Sequence, residues 1–268
     1  MSRRVMQGFF GMSLVIAVAL AGCSSGLDDA GERTTATGDS ASTPTPTEEP
    51  SVIEVDGTRV WVHCQGAGEP TIVLEAGSDS QGSTDFPAEL IDDLAVTNRT
   101  CTYDRPGTGM SGRPAEDERT VDDVNRLLRH VLKAADVSGP YVLAGNSGGG
   151  ILSIEFARRY RDEMAGLVLL DVPGPQRDLD PTLHGVSPET NTENMDWVEL
   201  EHRLAVDPPD LGDLPVVIVT ATFGQSDVKD QAYWLALSTS AQQVELEGDH
   251  AIQMSAPSEV VDLIRSVS

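Results

Sequence analysis

Gly145-Asn146-Ser147-Gly148-Gly149 spells G-x-S-x-G. The string directly follows an apolar, β-prone run at residues 141–144 and directly precedes a helical pattern over 149–160. Placement carries the weight, because with glycine and serine each near 7% of residues the bare string arises by chance in roughly one chain of this length in ten. Between strand and helix it describes a nucleophile elbow, a strained turn that lifts a serine clear of the sheet and leaves no room for a Cβ at Gly145 or Gly149. The chemistry that suits it is acyl transfer. A serine hydroxyl is a poor nucleophile at neutral pH, so Ser147 needs a neutral imidazole within hydrogen-bond reach and a carboxylate to fix that imidazole's tautomer. Five histidines compete for the part. His63 falls in a strand pattern, His130 on a helix, His184 and His202 in a proline-bearing acidic segment, and His250 in a loop after the last β-prone run.

The elements that must hold such a site alternate. Residues 52–55 and 59–64 flank Asp56-Gly57, a hairpin signal, and 71–74 and 100–103 are further β-rich runs. Thr120 caps a helix whose apolar positions Val124, Leu127, Leu128, Val131, Leu132 and Ala135 follow the helical period. Residues 141–144, 167–170, 216–219 and 243–246 read as buried strands, with helices over 149–160, 229–237 and 257–267. This alternation predicts an α/β fold, a mostly parallel sheet covered on both faces with its ligand at the carboxyl ends of the strands. Residues 173–214 differ, with several prolines, scattered acids and one periodic patch at Trp197, Leu200 and Leu204. At ~40 residues the segment exceeds an ordinary connection and is expected to be a lid.

At this point the chain, from about Val52 onward, resembles the α/β-hydrolase family. Beside the elbow, Asp104-Arg105-Pro106-Gly107-Thr108-Gly109-Met110-Ser111 is similar to the family's D-R-P-G-x-G-x-S turn, and Gly248-Asp249-His250 to its terminal G-x-H loop. The resemblance implies an eight-stranded sheet, Ser147 as nucleophile and His250 as base, in the order serine, acid, histidine. Two acids obey that order. Asp171 ends the run 167–170, where some relatives carry the acid, and is preferred. Asp227 follows the run 216–219, the usual location, but lies a few residues late and stays as the alternative. The amide of Gly148 is expected as one oxyanion donor, and matching to the family's H-G-x loop at Glu75-Ala76-Gly77-Ser78 points to the amide of Ser78 as the second. The usual histidine of that loop is Ala76 here. In this fold the second and fourth strands run antiparallel side by side, which implies a disulfide between Cys64 and Cys101. The glycines 107, 109 and 112 also spell G-x-G-x-x-G, but Arg113-Pro114 and an acidic loop follow where a dinucleotide-binding motif must open a helix.

The first residues read as an address. Arg3 and Arg4 precede an apolar run, 9–21, too short to span a membrane and ending in small residues, the layout of an export signal. Leu20-Ala21-Gly22-Cys23 resembles the lipobox of bacterial lipoproteins, which implies cleavage after residue 22 and a lipid on Cys23, with the export route, general secretory or twin-arginine, left open. Residues 23–50 are Ser, Thr, Gly, Pro and acids, which cannot repay the entropy of ordering themselves and form a tether. The folded domain is then 51–268, moored to the outer face of the bacterial cytoplasmic membrane by lipid alone.

Composition closes other classes. Acidic residues number 43 against 18 Lys plus Arg in 268 residues, a formal charge of −25. Nucleic acid and anionic lipid surfaces are repelled over most orientations. Three cysteines with no C-x-x-C and no H-E-x-x-H offer no standard metal spacing, so no metal and no cofactor are expected. The reading is a lipid-anchored serine hydrolase acting on carboxylic esters or related small acyl substrates. An aminopeptidase of proline-iminopeptidase type is the alternative within the same chemistry, and a binding lipoprotein that keeps the fold without turnover is the competing class.

Overall fold

The structure is a computed structural model, and it describes residues 49–176, 178–182, 186–187 and 189–268. The export signal, Cys23, nearly all of the tether and His184 lie outside the described residues.

The domain opens with the expected hairpin, β1 (Ser51–Val55) and β2 (Thr58–Gln65), turned by Asp56 and Gly57, both at positive φ. There follow β3 (Thr71–Glu75), α1 (Gly82–Asp85), α2 (Ala88–Ala95), β4 (Thr100–Tyr103), α3 (Val121–Ala134), β5 (Tyr141–Asn146), α4 (Gly148–Arg159) and β6 (Met164–Leu170). After a long connection come α5 (Trp197–Val206), β7 (Val216–Phe223), α6 (Val228–Gln231), β8 (Ala241–Asp249), α7 (Ile252–Ser255) and α8 (Pro257–Arg265). The eight strands form one sheet ordered β1-β2-β4-β3-β5-β6-β7-β8. β2 pairs antiparallel with both β1 and β4, and every other pairing is parallel.

Parallel strands buried on both faces need apolar residues at successive positions, and the period of two sends them to different cores. In β5, Leu143 joins a core with Val124, Leu128 and Leu132 of α3 and with Ile151 and Leu152 of α4. Its neighbours Val142 and Ala144 join the other core, with Leu90 and Leu94 of α2 and Val260 and Ile264 of α8. Thr120 caps α3 through a reciprocal box with Asp123, as its position before the periodic run suggests. Cys64 and Cys101 are register partners across β2 and β4, their Cα atoms 4.1 Å apart, and they are bonded as a disulfide.

The structure corrects several expectations. The stretch 229–237 is a four-residue α6 followed by a 3₁₀ turn, Ala232–Leu237, rather than one helix. β8 is the edge strand, and none of its residues is fully buried. α2 was not expected at all, because its buried face is carried by Leu90 and Leu94 alone, too few to show a period. Part of the segment expected as a lid is core: Trp197, Leu200 and Leu204 of α5 are buried with α3 and α4. Among the described residues, no helix is long and apolar enough to cross a membrane.

Candidate active site

The elbow forms because two chain segments crowd it. A Cβ on Gly145 would strike the backbone of Gly149 and Gly150, and one on Gly149 would strike the carbonyls of Glu75 and Ala76. With both positions stripped, the chain turns from β5 into α4 within one residue, and Ser147 takes φ 52° and ψ −125°. A non-glycine residue held at positive φ stores strain, and the structure over-determines it here through the Ser147 amide, which donates to the carbonyl of Leu170 at 3.1 Å.

Ser147 and His250 line the same cleft, of about 440 Å³, at the carboxyl ends of β3 and β5. His250 follows β8, and its Nδ1 lies 2.7 Å from Oδ2 of Asp171. Asp171 follows β6 and is fully buried. Its Oδ1 accepts from the amide of Ala221 (3.1 Å) and from Nε2 of Gln231 (2.7 Å), and its Oδ2 accepts from the amide of Gln225 (3.1 Å) as well as facing the imidazole. Burial alone would raise this carboxyl, but these four hydrogen bonds outweigh it and hold the group below the usual carboxylate range. Asp227 is placed elsewhere. It is exposed and caps α6, accepting from the amides of Lys229 (2.9 Å) and Asp230 (3.0 Å).

Asn146, the unassigned residue of the G-x-S string, joins these pieces. Its Nδ2 donates to the carbonyl of Leu170 and to the carbonyl of His250, each at 2.9 Å. One amide group therefore pins the backbone just before Asp171 and the backbone of His250 to the residue preceding Ser147. Of the other histidines, His130 pairs with Asp56 at 2.7 Å on the surface and His63 sits in β2 against Trp61. His202 is an exposed residue of α5.

Gly148 opens α4, so its N–H has no carbonyl within the helix to meet. Ser78 stands over it, close enough that a Cβ on Gly148 would run into the Ser78 hydroxyl. The loop 76–79 that presents Ser78 is gripped from below by Arg105 of the D-R-P-G turn, which is buried between Glu75 (2.8 Å) and Glu193 (2.5 Å). Glu75 also accepts from the Tyr103 hydroxyl at 2.9 Å, and its pKa is raised because burial outweighs the pull of Arg105. The cleft also holds two carboxyl groups, of Asp85 and Glu201, and the ring of Trp197. Burial raises Asp85, against the opposing hydrogen bond from the Gly77 amide (3.0 Å). Burial likewise pushes Glu201 up to about 7, with the Gln176 amide pulling the other way and the charge of Asp230 adding to the rise. Among the described residues no group of three or more His, Cys, Asp or Glu is placed to hold a metal.

A family model described as alpha/beta hydrolase fold matches residues 64–255. The chain belongs to the α/β-hydrolase family. Uncharacterized protein YbdG of Bacillus subtilis (strain 168) is 29% identical over 136 residues, 51% of this chain and 42% of that protein. The chain spans less than half the length of the first curated relatives it matches. Among solved structures, the thioesterase domain from the curacin biosynthetic pathway aligns over 81% of this chain and 98% of its own, with a TM-score of 0.63 at 17% identity. A putative lipase from Acinetobacter baumannii AYE aligns over 82% of this chain and 91% of its own, with a TM-score of 0.64 at 17% identity. At such identities the likeness is one of fold.

Four residues that matter to this geometry escaped the sequence: Asn146, Gln231, Glu193 and the function of Arg105. Only Arg105 carried a signal, as the single cation of the D-R-P-G turn. The others act on the site through partners 24 to 114 positions away in the chain.

Proposed function

We propose that the protein is a serine hydrolase of small acyl substrates, chiefly carboxylic esters. Ser147 attacks the carbonyl, His250 accepts its proton and later protonates the leaving alkoxide, and Asp171 holds Nδ1–H of the imidazole so that Nε2 is free to act as base. The amides of Gly148 and Ser78 receive the charge that develops on the carbonyl oxygen. Water activated by the same imidazole then releases the acyl group from Ser147. The observation that supports this most is the 2.7 Å contact of His250 with a buried, multiply hydrogen-bonded Asp171, in a cleft shared with a strained Ser147. Asp227, already spent on capping α6, has no such contact.

The proposed setting is outside the cytoplasm, with Cys23 lipidated and the tether lifting the domain from the outer face of the membrane. The 20–23 sequence and the preceding basic and apolar stretches support it. So does the Cys64–Cys101 disulfide, which persists in an oxidising compartment. The test is covalent labelling by a fluorophosphonate. Folded protein is expected to label, and Ser147→Ala to abolish labelling. Folded wild-type protein that does not label favours a binding lipoprotein. Detergent-phase partitioning that disappears in Cys23→Ser reads the anchor separately.

A further inference from the structure

The peptide between Gly77 and Ser78 is trans, so the Gly77 carbonyl and the Ser78 N–H point in opposite directions from one rigid plane. Whatever grips the carbonyl therefore aims the amide. Arg105 does so: one Nη2 hydrogen goes to the Gly77 carbonyl at 2.6 Å, and an Nη1 hydrogen goes to the carbonyl of Ala76 at 2.7 Å. The guanidinium has five N–H groups, and all are placed. The remaining three go to Glu75 (2.8 Å) and, through Nε (2.5 Å) and Nη2 (2.9 Å), to both oxygens of Glu193.

Glu193 is fully buried and comes from the long connection between β6 and α5. Beyond its fork on Arg105, Oε1 accepts from the amide of Asp79 at 2.9 Å. The Ser78 residue is thus fixed on both sides, by Arg105 at the carbonyl before it and by Glu193 at the amide after it. The turn that carries Arg105 is itself seated on this segment, since a Cβ on Gly107 would strike the carbonyl of Thr192.

We infer that Glu193 is a positioning residue, supplied by the inserted segment, which aligns the Ser78 amide with the developing oxyanion by holding Arg105 and the Asp79 amide in one fork. This inference rests on the serine-hydrolase reading above. Its consequence is that the segment 173–214 does more than cover the cleft: without its glutamate the oxyanion site is incomplete. Arg105 alone cannot substitute, because a guanidinium has no acceptor for the Asp79 amide, which Glu193 receives.

The test compares Glu193→Gln, which keeps shape but loses the charged fork, and Glu193→Asp, which keeps the charge and withdraws the carboxylate by one methylene. Losing an oxyanion donor outright costs about 10²- to 10³-fold in kcat, so a tilted donor is expected to cost about 10- to 100-fold. KM for a short acyl ester is expected to stay within about threefold. Affinity for a boronic acid, which binds Ser147 as a tetrahedral anion, falls in step with kcat/KM, whereas a non-reactive product acid binds as before. A purely structural role would not divide kcat from KM or boronate from product. Folded variants with unchanged kcat, or with loss confined to KM, overturn the inference. So does activity that only tracks the folded fraction, or failure of both variants to fold. Absence of fluorophosphonate labelling in the wild type instead overturns the serine-hydrolase reading beneath it.

Discussion

Asp171→Asn asks which carboxylate serves the imidazole, and the structure sets the size of the answer. The native carboxylate faces four donors, two per oxygen: Ala221 N–H and Gln231 Nε2 on Oδ1, Gln225 N–H and His250 Nδ1 on Oδ2. An asparagine offers one oxygen and one NH₂, so either orientation turns the NH₂ toward two donors. If it replaces Oδ1, two buried donors lose their acceptor, at about 1–3 kcal/mol each. If it replaces Oδ2, the Gln225 amide is orphaned but His250 can adapt by presenting Nδ1 as an acceptor. The proton then moves to Nε2, and the imidazole can no longer take one from Ser147. The second orientation leaves fewer donors unpaired, so it is the one expected, and the wrong tautomer costs about 10⁴-fold in kcat. The measurement is kcat on a chromogenic acyl ester, beside Asp227→Asn, which keeps an N-cap as good as aspartate and is expected to stay near wild type. Asp171→Asn within tenfold of wild type, or a collapse in Asp227→Asn, refutes the assignment.

Three further outcomes are expected. Asn146→Ala removes the two bonds that pin Leu170 and His250, and a displacement of the imidazole near 1 Å is expected to lower kcat by about 10²-fold. Wild-type kcat in Asn146→Ala would show that the His250 loop holds its place unaided. Glu201 keeps its proton to about pH 7 when folded but releases it near 4.5 when unfolded, so the folded state binds more protons between those values and stability falls as pH rises through them. Glu201→Gln is therefore expected to gain up to about 3 kcal/mol over wild type at pH 8 and almost nothing at pH 4. Urea melts at both pH values check it, and an equal difference at the two contradicts it. The disulfide closes a loop with a sequence separation of 37, so Cys64→Ser with Cys101→Ser is expected to lose up to about 4 kcal/mol in the same assay without losing the fold. A loss below 1 kcal/mol would mean that the β2–β4 register carries that stability by itself.

Much of this molecule was legible because it is written locally. An elbow needs two missing Cβ atoms at fixed offsets from its serine, and Gly145 and Gly149 display them in five residues. A capped amphipathic helix declares itself through Thr120 and the spacing from Val124 to Leu132, which survives folding as the buried face of α3. Buried parallel strands are short apolar runs whatever their neighbours, and β3, β5, β6 and β7 read that way. β8 shows the limit: at the sheet's edge, half-buried, its alternation matters more than its apolar content, and only its middle was recognised. α2 shows another, since Leu90 and Leu94 are one turn apart and become a face only where α8 covers them.

What the amino acids alone determined is therefore the inventory: a strained serine between strand and helix, a histidine after the last strand, two eligible acids, a pair of cysteines. Which acid meets the histidine was decided by tertiary structure. The order β6-β7-β8 sets the loop ends side by side, and Asp171 reaches across β7 to His250 while Asp227 turns back to cap α6. The same holds for Arg105 and Glu193, 88 positions apart in the chain and in contact only once the fold closes. A hydrogen bond acts over about 3 Å, and local sequence patterns do not record which distant residues the sheet will bring within that distance.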